Sequence, residues 1–263
     1  VTTGTGNDTI HSKGGDDTIS TGSGNDTVYL GSGVYSVDLG AGDDKVYLNT
    51  EVSIINGNTG TDEAIVRQFD GFVDVVIDLK FSTYYVPSKL PSLDGMELPL
   101  QGFEKVTIDG QVNAEIYGTV AADTIVGDAG ADKITGRGGA DTLTGGTRND
   151  TFIFATGDTG ITEATADTIT DFSTGSDKLD VDAPGTYVEV DGTAVTFANY
   201  LTAAAASFSG NADDIYSAYN LNASGNTYVI IDEDKSGTVT DGDTLIILTG
   251  LSTADGLDSS DII

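Results

Sequence analysis

Aspartates recur along the first quarter of this chain at a step of nine residues. Asp8, Asp17, Asp26, Asp44 and Asp62 share one phase, and Tyr35 and Ser53 stand at the two skipped positions. A second series runs Asp123, Asp132, Asp141 and Asp150 at the same step. Glycines precede them in pairs, as in Gly4 and Gly6, Gly22 and Gly24, Gly40 and Gly42. Carboxylates beside turns with accessible carbonyls are hard oxygen donors, and hard donors suit a hard divalent cation.

Something must hold those donors in phase. With the Asp position counted as the sixth of each nine-residue unit, the residue two places later is apolar: Ile10, Ile19, Val28, Val37, Val46, Ile55 and Ala64, then Ile125, Ile134, Leu143 and Phe152. A nine-residue step is too short for two helices and suits one short strand plus one tight turn. Two such units make an 18-residue coil with one strand in each of two stacked parallel sheets. The apolar residues then point inward as a narrow core. The glycines give the turns φ values that other residues avoid. Each coil buries little alone, so stability comes from stacking. A disordered Gly/Asp/Thr-rich tract would not need the strict placement of Ile and Val.

The units read G-T-G-N-D-T-I-H, K-G-G-D-D-T-I-S, G-S-G-N-D-T-V-Y and G-A-G-D-D-K-V-Y, then G-D-A-G-A-D-K-I-T and G-R-G-G-A-D-T-L-T. This pattern resembles G-G-x-G-x-D-x-U-x, the calcium-binding nonapeptide of RTX proteins. The resemblance implies a parallel β-roll with Ca²⁺ held between successive turns on one edge. Each Asp would supply a carboxylate oxygen. Turn carbonyls would supply the rest, from Thr3, Gly4, Thr5, Gly6, Gly22, Gly24, Gly40, Gly42, Gly127, Gly130, Gly136 and Gly139.

Sites on one edge recur every 18 residues. Asp8, Asp26, Asp44 and Asp62 share an edge, whereas Asp17 shares the other with Tyr35 and Ser53, which carry no carboxylate. The first block is therefore expected to be calcified along one edge. In the second block Asp123 pairs with Asp141 and Asp132 with Asp150, so both edges are usable. Arg148 stands where Gly is usual, which questions that turn's backbone.

The chain has 263 residues with 11 Lys and Arg against 42 Asp and Glu, a net charge of −31. That balance argues against nucleic acid, whose backbone needs cationic partners, and against charge-driven docking on anionic lipid. Acidic residues placed at turns suit metal neutralisation, and the remaining acidity serves solubility. There is no Cys, so no disulfide and no thiolate site. No apolar run is long enough to span a membrane. The chain opens mid-repeat, which predicts a fragment of a longer protein without its own signal peptide.

In order, the expected organisation is a first roll at 1–66, a β-rich insertion at 67–102, a second roll with its closing segment at 103–183, and a cap at 184–263. The fold class is all-β: a parallel β-roll or β-helix solenoid with an insertion and a cap containing one or two short helices. His11, the single histidine, is a surface residue rather than a ligand, since nothing of its kind joins it. The insertion reads as a β-hairpin, with Phe81, Tyr84 and Tyr85 packing on the roll or meeting a neighbour. In the closing segment, which resembles the one after RTX repeats, Asp167 and Asp171 either hold a further Ca²⁺ or belong to a metal-free strand-turn-strand. In the cap, strands are expected at 187–190, 194–197, 228–231 and 244–248, and helices at 197–208 and 212–219. A solenoid end needs such a cover. Asp232, Asp234, Ser236, Gly237 and Asp243 occupy positions of an EF-hand-like loop, with the Thr238 carbonyl as a further donor; the alternative is a plain acidic hairpin turn. The terminal D-S-S-D-I-I resembles the uncleaved signal of type I secretion substrates.

No H-E-x-x-H, G-x-S-x-G or G-x-x-x-x-G-K occurs in the chain, so the expectation is a non-enzyme. The resemblance implies secretion through type I machinery and an extracellular or cell-surface location, while the charge balance and the lack of a long apolar run predict no nucleic acid and no membrane insertion. It is nearest to the RTX S-layer proteins of Gram-negative bacteria, in which Ca²⁺ drives folding and lateral self-assembly. The alternatives are the accessory C-terminal module of a secreted protease, lipase or alginate epimerase, or a module of a large adhesin.

Overall fold

The computed structural model describes residues 1–33, 35–48, 54–67, 74–78, 96–111, 113–181, 184–190, 196–208, 213–219, 226–251 and 257–263. The first strands alternate between two parallel sheets: β1 (Thr9–Gly14), β2 (Thr18–Ser20), β3 (Thr27–Ser32), β4 (Ser36–Asp38), β5 (Lys45–Leu48), β6 (Ile54–Asn56) and β7 (Glu63–Arg67). The odd strands stack in one sheet and the even strands in the other. Register follows the apolar step, with Ile10 opposite Val28, Val28 opposite Val46 and Val46 opposite Ala64. All four are buried, as are Ile19, Val37 and Ile55 on the facing sheet. Each Ile or Val so buried contributes roughly 1.5–3 kcal/mol, and β-branched residues fit the pleat between turns.

The chain then leaves the simple alternation. β8 (Asp74–Asp78) and β9 (Met96–Gln101) both enter the second sheet, between β6 and β11 (Asn113–Tyr117). They pair in parallel, Val75 with Met96 and Ile77 with Leu98. The expected hairpin is therefore corrected. An antiparallel pair needs only a tight turn, whereas parallel neighbours need a long crossover, and the connection from 79 to 95 has that length. Phe81, Tyr84 and Tyr85 lie outside the described residues.

Stacking resumes with β10 (Lys105–Asp109), β12 (Thr124–Val126), β14 (Thr142–Thr144) and β16 (Asp167–Ile169) in the first sheet. Its partner sheet adds β13 (Lys133–Thr135), β15 (Thr151–Phe154) and β17 (Lys178–Val181) beyond β11. Ile116, Ile125, Ile134, Leu143 and Phe152 are fully buried. Phe152 packs against Phe172 at 6.2 Å between centroids as the coils lengthen toward the end of the roll.

The remaining elements are β18 (Pro184–Val190), α1 (Phe197–Ser207), β19 (Asp213–Tyr219), β20 (Asn226–Asp232) and β21 (Thr244–Thr249). β21 runs parallel to β16 and extends the first sheet, followed by β20, β19 and β18. Asp261 and Ile263 hydrogen-bond to Leu179 and Val181, so the end of the second sheet is covered as well. α1 opens on Thr196, whose side chain accepts from the Asn199 amide. It buries Tyr200 and Ala204 against Tyr228, Ile230 and Leu245 in a second core. Residues 213–219 form β19 and not the second helix expected there. Pairing with β18 on one side and β20 on the other overrides local propensity. Residues 191–195, assigned in part to a strand from the sequence, lie outside the described residues, and Phe197 belongs to α1. Among the described residues no helix is long and apolar enough to cross a membrane.

Candidate metal centres

The turns of the roll bring the aspartates into rows. Asp8 donates its amide to Asp26 Oδ1 at 2.7 Å, Asp26 to Asp44 Oδ1 at 2.7 Å, and Asp44 to Asp62 Oδ1 at 2.9 Å. One carboxylate oxygen of each later Asp is thus held by the preceding coil. The other oxygen, Oδ2 of Asp26, Asp44 and Asp62, is buried and has no hydrogen-bond partner.

The second block repeats this on both edges. Asp123 donates to Asp141 Oδ1 and Asp141 to Asp167 Oδ1, each at 2.8 Å. On the other edge Ala114 donates to Asp132, Asp132 to Asp150, and Asp150 to Asp177. Again Oδ2 of Asp132, Asp141, Asp150 and Asp167 is buried and unpartnered. Asp123 is the variant: Thr119 occupies its Oδ2, and its Oδ1 is the unpartnered atom.

A buried carboxylate with an unused oxygen is costly unless a cation completes it. Burial accordingly pushes Asp44, Asp62 and Asp150 up to about 6, Asp132 and Asp141 to about 7, and Asp167 to about 8. Neighbouring aspartates in each row add to the rise. The donor set is wholly oxygen, which fits Ca²⁺.

The glycines explain how carbonyls approach. Gly40 and Gly42 sit at φ +93° and +132°, and a Cβ on either would strike the Gly22 or Gly24 carbonyl of the coil before. In the second block a Cβ on Gly127 or Gly136 would strike Oδ2 of its own repeat's Asp132 or Asp141. The carbonyls of Gly4, Gly22 and Gly40 accept amides from the next coil, so they also knit the turns together. Arg148 keeps the turn shape, with φ +93°, and carries the strain of a side chain there.

The two edges of the first block differ. Asp17 is only half-buried and accepts from its neighbour Ser12. Tyr35 is buried at the next position, with its hydroxyl donating to Ser32 O at 3.1 Å. Ser53 lies outside the described residues. Asp26→Ala is therefore expected to lower Ca²⁺ stoichiometry and folding cooperativity more than Asp17→Ala, as read by calcium titration. Equal losses would contradict the assignment.

Asp167 and Asp171 are not brought together as one site. Asp167 belongs to the row, whereas Asp171 accepts from the Gly145 and Gly146 amides through both oxygens. Asp177 takes the row position beyond Asp150, and sequence reasoning passed over it. The available signal was the Asp-x-apolar spacing of Asp177 and Leu179. A second row was also missed. Asn7 accepts from the Asn25 amide, Asn25 from Asp43 and Asp43 from Thr61, at 2.9 to 3.0 Å. In the first block Asn7, Asn25 and Asp43, each one place before a row Asp, thus tie their coils to the following ones.

The cap carries a separate cluster in the loop between the antiparallel strands β20 and β21. Ligand atoms of Asp232, Asp234 and Asp243 lie within 4.8 Å of one another. Asp232 accepts from the Ser236 and Gly237 amides, and Asp234 from Ser236 and from Thr240 Oγ1. Ser236 Oγ donates to the Thr238 carbonyl. Asp243 Oδ1 is buried without a partner, and burial pushes that carboxyl up to about 6. Gly237 has φ +70°, as the bend at that loop position requires.

A two-sheet parallel roll with rows of buried carboxylates at its turns defines a calcium-binding β-roll. Residues 2–35 and 117–152 match the family described as RTX calcium-binding nonapeptide repeat (4 copies). The chain carries these repeats, and its cofactor is Ca²⁺, bound at multiple sites. Repeats of this family are a structural calcium-binding module, here of a secreted protein. No curated protein matches the chain.

Proposed function

We propose that this chain is the calcium-folded structural part of a bacterial cell-surface protein that assembles laterally into an S-layer lattice. It leaves the cell unfolded through type I secretion machinery and folds on meeting Ca²⁺ outside. The observation that carries the calcium step is the row of buried carboxylate oxygens without partners at Asp26, Asp44 and Asp62, and again at Asp132, Asp141 and Asp150. The ligands we assign are these carboxylates with Asp8 and Asp123, the turn carbonyls beside them, and Asp232, Asp234 and Asp243 in the cap. These side chains hold the turns in register once their charge is neutralised, and they repel one another without it. Ca²⁺ binds the folded form, so stability grows with the logarithm of its concentration.

Lateral assembly is favoured by the same charge logic. A net charge of −31 keeps copies apart until bound cations reduce it. The long sheets present open outer faces, where the solvent-reaching Lys45 and Lys105 pair with a buried Glu63 between them at 2.7 and 2.8 Å. Light scattering and negative-stain microscopy across a Ca²⁺ series test this reading on the full-length protein. Ordered sheets or oligomers that form only with Ca²⁺ are the expected result. A full-length protein that folds yet stays monomeric throughout overturns the lattice and favours an accessory module of a secreted enzyme or an adhesin.

A further inference from the structure

We propose that residues 102–104, outside the nonapeptide series, complete an additional Ca²⁺ site where the insertion rejoins the roll, with Glu104 in the role that the next Asp plays elsewhere. The Asp62 amide donates to Glu104 Oε2 at 2.9 Å, as the Asp44 amide does to Asp62 Oδ1. The backbone register agrees: Lys105 donates its amide to Asp62 O at 3.1 Å, as Glu63 does to Asp44 O. Glu104 therefore occupies the sixth position of a repeat that the sequence does not contain.

A carbonyl is supplied as well. A Cβ on Gly57 would strike both the Gly102 carbonyl and, at 2.5 Å, Asp62 Oδ2. Those two oxygens therefore converge on one small space. Asp62 is fully buried, and its Oδ2 has no hydrogen-bond partner. In the second roll Gly127 stands in the same relation to the Gly145 carbonyl and Asp132 Oδ2. Only three residues, Gly102 to Glu104, replace the usual six-residue turn, which is why no repeat is visible there.

The proposal rests on the calcium reading of the rows, and its test separates the two. Glu104→Gln keeps an oxygen to accept the Asp62 amide and removes only the charge. A purely structural Glu104 would tolerate it. The expected result is one Ca²⁺ fewer per chain by equilibrium dialysis and a several-fold higher Ca²⁺ midpoint for folding. An unchanged count and midpoint overturns the junction site. A wild-type chain that binds no Ca²⁺ overturns the calcium reading itself. Should the variant not fold, anomalous-difference density from wild-type crystals grown in Ca²⁺ decides. A peak between Asp62 and Glu104 supports the site; its absence, with a peak between Asp44 and Asp62 present, sinks it.

Discussion

In decalcified buffer at pH 8 the chain is expected to lose its β-sheet signal, and acidification toward pH 4.5 without metal to restore part of it. The sign follows from the rows. Burial raises the folded-state carboxyls of Asp44, Asp62 and Asp150 to about 6, of Asp132 and Asp141 to about 7 and of Asp167 to about 8. Their unfolded values lie near 3.9. The folded chain thus holds more protons than the unfolded chain between about pH 4 and pH 8. Stability is fully present below the unfolded value and is lost as pH rises through the folded values. Calcium reverses the trend, because it replaces those protons and binds more tightly as they leave. Far-UV circular dichroism and thermal melts at the two pH values, each with and without millimolar Ca²⁺, check this. A metal-free chain as stable at pH 8 as at pH 4.5 would refute it.

A chain ending at residue 183 is expected not to fold cooperatively even in saturating Ca²⁺, and to aggregate. Its deletion removes β21, which pairs with β16 through Ile246 and Leu248, and with it Leu251, Leu257 and Ile262 from the main core. Each of these aliphatics is worth roughly 1.5–3 kcal/mol. Together they rival the whole net stability of a domain, about 5–15 kcal/mol. The deletion also uncovers the edges of β16 and β17, which then offer unpaired amides and carbonyls to other chains. Removal of residues 1–17 takes away one coil and leaves the later register intact, so it is expected to cost far less. Size-exclusion chromatography and Ca²⁺ titration of both truncations provide the comparison. A C-terminal truncation that is monomeric with an unchanged folding midpoint would contradict this account.

Much of the roll was legible because one spacing sets three things at once. The same nine-residue step places Ile19 in the core, Gly24 in the turn and Asp26 in the row. The loop from Asp232 to Asp243 was legible for a similar reason, since its donors are local in sequence. What spacing cannot show is which strand lies beside which. The parallel pair β8 and β9 is decided by a long connection, and β19 by its two neighbours. Asp177 escaped because its coil takes 27 residues where the one before it on that edge takes 18, and Glu104 because its turn has three residues where the usual turn has six, although each keeps an apolar residue two places on, Leu179 and Val106. The Asn7, Asn25 and Asp43 row escaped because short polar residues before an Asp look like ordinary turn formers.

The outer face of the first sheet carries a stack of rings. His11 lies over Tyr29, and Tyr29 over Tyr47, at 4.5 Å between centroids, and the Arg67 guanidinium sits 4.5 Å from the Tyr47 ring. A separate cluster of Phe197, Tyr200 and Tyr228 lies in the cap. The chain has no tryptophan, so tyrosine dominates its near-ultraviolet spectrum. Rings so close and parallel couple their transitions, and they meet only when β1, β3 and β5 stand in register. The protein therefore contains two native optical reporters, one for the alignment of its coils and one for the closing of its cap. Tyr29→Leu silences the first and Tyr228→Leu the second, which lets the order of the two events be read without an added label.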